Sequence, residues 1–299
     1  MKSIDTRRRR LLMGASVSTA LSALGGWAGS AIAVGKSTKA RMPVIFVGHG
    51  SPMNAVRQNA FTRHLQQWGE ALPRPKAILS VSAHWLTPGF TAVDVQEHPP
   101  TIHDFGGFPP ELYAMRYPAS GAPAIAQETA VRIKKAKVIA TSDWGLDHGT
   151  WTVLHHMFPR ADVPVFQLSI DYDKPGAYHL AVGRELAGLR DQGVLILGSG
   201  NIVHNLRATD RGTPDGISAS RPWAAAFDAA VVKALAGRDD NALVNYAGLD
   251  TSAAQAVPTP DHYFPLLYVL GAAGASESAR SVFEGFQAGT LSMRCLQFG

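Results

Sequence analysis

Four of the chain's eleven histidines stand where a fold can aim them at one point. An apolar run of strand length ends in Gly48-His49-Gly50-Ser51-Pro52, and the glycines let backbone come close to whatever His49 holds. A second run, 77–83, leads into His84-Trp85, and a third, 193–201, leads to His204-Asn205. In open α/β sheets, ligands bind outside the carboxyl ends of strands, so histidines placed there meet despite long separations in sequence. The fourth, His262, sits in Thr259-Pro260-Asp261-His262-Tyr263. Neutral imidazole suits iron, zinc, copper and nickel, so the set reads as a metal site. Cys295 is the single cysteine and reads as a small core residue. Neither a disulfide within the chain nor a multi-thiolate site can be built, leaving His, Asp or Glu as ligands. His148, beside Gly149 and between Trp144 and Trp151, is a fifth candidate, as an acid or base. His64, His98, His155, His156 and His179 read as structural. No Gly-x-Ser-x-Gly elbow occurs, and Gly198-Ser199-Gly200 falls short of a dinucleotide fingerprint.

The elements that must position these residues alternate between strand and helix. Strands are expected at 43–47, 77–83, 90–96, 137–140, 165–170 and 193–197. Helices are expected at 54–70, 122–135, 151–157, 174–192 and 222–236. A last helix is expected to open at Thr259 as cap, with Pro260 first and His262 in the first turn. Residues 280–298 read as a terminal β-hairpin. The Pro- and Gly-rich stretch 97–109 cannot be regular, and its His103, Asp104, Phe105 and Phe108 make it a candidate wall of the site. The pattern predicts a single α/β domain over 43–299, with a central, mostly parallel or mixed sheet flanked by helices.

With 46% hydrophobic and 17% charged residues, the 299-residue chain can bury a full core. Five bases against one acid, Asp5, lie in residues 1–33, so the remainder is close to neutral. The basic balance therefore belongs to the leader and gives no argument for nucleic acid. That leader has a charged part, Arg7 to Arg10, a small and apolar part to Ile32, and an Ala31-Ile32-Ala33 cleavage pattern. Arg-Arg-x-Leu-Leu from Arg8 resembles a twin-arginine signal. The expectation is export through the twin-arginine machinery, cleavage after Ala33, a linker at 34–42 and a periplasmic protein with no stable membrane insertion.

The motifs Gly48-His49-Gly50-Ser51-Pro52-Met53-Asn54, Ser82-Ala83-His84-Trp85, Thr101 to Pro109, Trp144 to Gly149, Gly200 to Asn205 and Pro258 to Tyr263 form an ordered set. As a set they resemble the LigB-type (class III) extradiol ring-cleavage dioxygenases, in particular the 4,5-DOPA dioxygenase branch. The likeness runs from about Pro43 to the C-terminus and leaves the leader outside. It implies a metal held by His49, His84 and His262, with His204 as a further ligand or as acid/base. It implies that His148 contacts substrate or assists proton transfer, and that O2 is inserted into a catechol such as DOPA. His103, Trp85, Phe105 and Tyr263 are then candidates for contact with the substrate, with Phe108 beside them. Iron(II) would serve ring cleavage, because zinc(II), which the same ligands could also bind, has no accessible redox state.

Histidines alone do not choose among metals. A zinc-dependent hydrolase or lyase, or a periplasmic metal-binding protein, would use the same scaffold. Oxygen uptake with catechols separates the dioxygenase from both.

Overall fold

The computed structural model describes residues 41–210, 212 and 216–299. The leader at 1–33 and its cleavage point lie outside the described residues. The strands Val44–Gly48, Val194–Gly200, Ala77–Ser82 and Val165–Gln167 lie side by side and parallel in a six-stranded sheet. Cys295–Phe298 joins Val44–Gly48 antiparallel, and Arg280–Phe283 closes that edge. The sheet is therefore mixed. Ser199 is level with Val47 on one side and with Ser82 on the other, so three parallel strands end at one height. His49, His84 and His204 all follow those ends.

The period-two alternation of these strands divides their side chains between two cores. Val44, Phe46, Leu79, Val81, Val194 and Ile196 face one core, shared with the helices Gly176–Leu186 and Phe264–Ala272. Ile45, Val47, Ile78, Leu195 and Leu197 face the other, against Phe61 and Leu65 of Ala60–Ala71 and Trp151 and Leu154 of His148–Met157. All these strand residues are fully buried. Burying each such side chain contributes roughly 1.5–3 kcal/mol, which is what holds the strand ends in register.

Local capping moves several elements away from their expected bounds. The helix expected at 54–70 begins at Ala60, because Asn59 and Thr62 form a reciprocal capping box, and a short 3-10 turn, Pro52–Ala55, precedes it. The helix expected at 151–157 begins at His148, because the Asp147 carboxylate accepts from Thr150 N. His148 is thereby its first residue. The last helix is Phe264–Ala272, with Pro265 in its first turn. Thr259 is not its cap, and His262 lies in the turn that leads into it. The strand expected at 165–170 breaks after Gln167, and Ile170–Asp171 pairs with Leu86–Thr87 instead. Val138–Thr141 pairs with Thr91–Asp94 outside the main sheet. In the terminal segment the outer strands join the main sheet, while Phe286–Gln287 and Leu291–Ser292 pair with each other.

Candidate metal centre

A cavity of about 240 Å³ opens above the strand ends. His49, His84, His148, His204 and His262 line it together with Phe105, Phe108, Leu206 and Leu291. Two close approaches make this crowding possible. A Cβ on Gly200 would stand 2.2 Å from the carbonyl oxygen of His262, so only glycine lets the 261–263 turn rest on the strand. A Cβ on Gly149 would stand 2.5 Å from Ser82 Oγ and 2.9 Å from the His84 ring. Backbone bonds then fix the turns: Asn201 N donates to His262 O at 2.9 Å, and His204 N to Ala256 O at 2.9 Å.

The outward faces of two imidazoles are set by what their other nitrogens touch. Ser199 Oγ donates to Gly149 O at 2.5 Å, so it can only accept from His49 Nδ1, at 3.0 Å. His262 Nδ1 donates to the Asp261 carboxylate. His84 Nδ1 lies 3.5 Å from Asp104 Oδ2. A carboxylate only accepts, so His262, like His49, carries its proton on Nδ1 and keeps a bare Nε2, whereas His84 has no hydrogen bond at Nδ1 short enough to fix its proton. His49 Nε2 and His84 Nε2 stand 3.1 Å apart. At that distance one ring can donate to the other, or both can serve as ligands of one cation. The ring centroids of His49, His84 and His262 are 5.0, 5.3 and 5.0 Å apart. Three imidazoles bound at about 2.1 Å to one ion, at near-tetrahedral angles, hold their centroids about 5 Å apart. Neutral imidazoles at this spacing are of the donor type that suits a divalent metal. Among the described residues, the groups whose donor atoms lie within 4.8 Å of one another are His49, His84 and His148, and His204, Asp261 and His262.

His204 and His148 differ from these three. The His204 ring stacks on His262 with centroids 3.5 Å apart and planes within 4°. Two parallel rings this close cannot both aim a nitrogen lone pair at one point, since each lone pair lies in its own ring plane. His148 overlaps His84 at 3.8 Å, and its Nδ1 donates to Asp104 Oδ2 at 2.8 Å. Burial, reinforced by the facing imidazoles, holds His49, His84 and His204 well below the ordinary histidine range, so all three are neutral at pH 7. Burial works against charge on Asp104 and Asp261 as well. The bonds from His148 and from His262, respectively, outweigh it and keep both below the usual carboxylate range.

Residues 41–294 match the family model of the catalytic LigB subunit of aromatic ring-opening dioxygenase. The chain belongs to the LigB family. It is 48% identical over 263 residues to the 4,5-DOPA dioxygenase extradiol of Escherichia coli K12, covering 87% of this chain and 95% of that one. It is 37% identical to the enzyme of the same name from Beta vulgaris, over 85% and 95% of the two chains. The crystal structure of an uncharacterized protein from Escherichia coli K12 superimposes with a TM-score of 0.75 at 42% identity, over 87% of this chain and all of that one. This LigB chain is thus an extradiol, aromatic ring-opening dioxygenase. It is a metal-dependent enzyme that takes a small catechol-type substrate and O2.

The LigB fold places the remaining sequence candidates unevenly. Phe105 lines the cavity, with Phe108 packed edge-on at 5.3 Å. Trp85 faces away from the cavity and stacks on Trp144, 5.6 Å off and parallel within 3°, in a different surface hollow. Tyr263 is fully buried in the core, its hydroxyl donating to Leu243 O at 3.0 Å. His103 stands behind Phe105 and bonds Met115 O at 3.1 Å. These three residues do not line the cavity. Trp85 and Tyr263 each follow a candidate ligand by one position, and the turns at 83–84 and 261–263 send the two neighbours different ways. Ser199, Leu206 and Leu291 are not singled out by the sequence, and Asp104 is singled out only as part of a candidate wall, with no partner. Asp104 lies 44 residues from the histidine it binds, and Leu291 arrives through a bridge to His204, so neither contact leaves a local signal.

Proposed function

We propose that this enzyme opens DOPA-type catechols by 4,5-extradiol cleavage, using iron(II) held by His49, His84 and His262. The observation that carries the reading is the convergence of five histidines on one cavity walled by Phe105, Phe108, Leu206 and Leu291. The names of the Escherichia coli and Beta vulgaris relatives support DOPA as the trial substrate. Bound by His49, His84 and His262, a divalent ion acidifies a catechol hydroxyl, and iron(II), unlike zinc(II), can also pass electron density to O2. The chain's own residues do the rest. Phe105 and Phe108 flank the ring and, with Leu206 and Leu291, exclude water. His204, stacked on a ligand and neutral, is the acid/base rather than a further ligand. It takes the second phenolic proton, and His148 presents Nε2 to the same space as a second proton carrier. Both atoms of O2 enter the product, a ring-opened semialdehyde of the muconic type.

The leader supports a periplasmic location for this activity. No helix among the described residues is long and apolar enough to cross a membrane. Replacing Arg8 and Arg9 by lysine should retain the activity in the cytoplasm, and unchanged fractionation would remove the export reading.

The deciding experiment is oxygen uptake by metal-free protein reloaded anaerobically with iron(II) or zinc(II), offered L-DOPA, protocatechuate or catechol. Iron-dependent uptake, matched to a coloured ring-opened product and fastest with L-DOPA, is the expected result. Uptake with another catechol alone would overturn the substrate, and equal rates with zinc would overturn the metal.

A further inference from the structure

We infer that Asp104 is a positioning residue, which holds His148 in the one tautomer able to take up a proton at Nε2. The inference rests on the dioxygenase reading above. Asp104 grips His148 twice: Oδ1 accepts the backbone N–H of His148 at 2.8 Å, and Oδ2 accepts Nδ1–H at 2.8 Å. The first bond fixes the residue at the start of its helix, and the second fixes the ring. With the proton on Nδ1, Nε2 keeps its lone pair and stands on the cavity wall. A catechol proton can then move to Nε2 and return from it, and the carboxylate balances the charge in between, as an aspartate does behind the histidine of a serine-protease triad. The same Oδ2 lies 3.5 Å from His84 Nδ1, so the carboxylate that grips the proton carrier also faces a candidate ligand. Phe105, the next residue, sets its ring 5.6 Å from His148. The aromatic wall and the proton carrier are thus hung from one point.

Asp104→Asn isolates this role. Asparagine keeps the size and can still accept the backbone N–H, but its amide NH2 opposes Nδ1–H and drives the proton to Nε2. The expected outcome is a fall in kcat of about 100-fold or more, with KM within about threefold of wild type. Metal content should stay at one per chain. In 15N spectra of histidine-labelled, zinc-loaded protein, wild-type His148 should carry its proton on Nδ1 and the variant's on Nε2. A wild-type His148 protonated on Nε2 would overturn the inference without recourse to any variant. Unchanged turnover in Asp104→Asn would also overturn it. In a His148→Gln background the same substitution should cost less than about threefold. An equal loss in both backgrounds would place the effect of Asp104 elsewhere. If wild-type protein takes up no oxygen with any catechol, the dioxygenase reading fails, and the spectra still decide the tautomer.

Discussion

Ser199 shows how much of the centre hangs on single polar atoms. It is fully buried, and its hydroxyl is committed to Gly149 O, so it can serve His49 Nδ1 only as an acceptor. Ser199→Ala leaves that N–H without a partner and frees the ring to turn. Metal affinity should fall about 10- to 100-fold in a chelator competition, the usual cost of losing a residue that orients a ligand. Unchanged affinity would show that packing alone orients His49. Tyr263 gives the opposite case. Its hydroxyl serves Leu243 O in the core, so Tyr263→Phe should lower unfolding stability by about 1 kcal/mol and leave the KM for catechol unchanged. A raised KM would return Tyr263 to the substrate site. The sequence places both residues beside histidine- or glycine-rich motifs and says nothing of which way their side chains point.

At the scale of elements, the centre depends on how closely the 261–263 turn can lie on the Val194–Gly200 strand. Gly200→Ala inserts a methyl group 2.2 Å from His262 O, an overlap that backbone must relieve by moving. Overpacking of this kind costs about 1–3 kcal/mol. Because the displaced atoms belong to a candidate ligand, metal affinity should fall together with the melting temperature. A lower melting temperature with full affinity would show that His262 tolerates the shift. The same scale explains the misplaced helix starts. Hydrophobic spacing locates the body of a helix, but its first residue is decided by which side chain captures the free N–H groups. Asp147 does so for Thr150, and this brings His148 onto the helix and into the cavity wall.

For the whole molecule, the buried neutral histidines make stability depend on pH. His179 lies in the core between Tyr268 and Lys174 O, and burial pushes it down to about 4 from 6.5. His49, His84 and His204 are depressed in the same direction. Between pH 6.5 and about 4 the unfolded chain binds protons that the folded chain refuses. Stability is therefore complete above 6.5 and lost as the pH falls through that window. Thermal melts of metal-free protein should show a steady fall from pH 7 to 5, and a flat profile would mean that these imidazoles are open to solvent. Added zinc should raise the melting temperature at pH 7, because it binds the folded ligand set, and should do so less at pH 5.5, where protons compete for the same nitrogens.

Composition, the order of strands and helices, and histidines set at strand ends were enough to determine an α/β domain with a metal site. Those features are local, since alternation and glycine placement act over a few residues. The ordered motifs added the dioxygenase family. Tertiary structure alone decided the division of labour among the histidines. Whether an imidazole presents Nε2 depends on what its Nδ1 touches, and those partners, Ser199 for His49 and Asp104 for His148, come from distant strands and loops. Stacking of His204 on His262 is likewise a relation between planes, which no spacing along a chain encodes. Trp85 and Tyr263 turn away from the cavity for the same reason: Trp85 stacks on Trp144 and Tyr263 packs into the core, and the sequence carries only the neighbourhood.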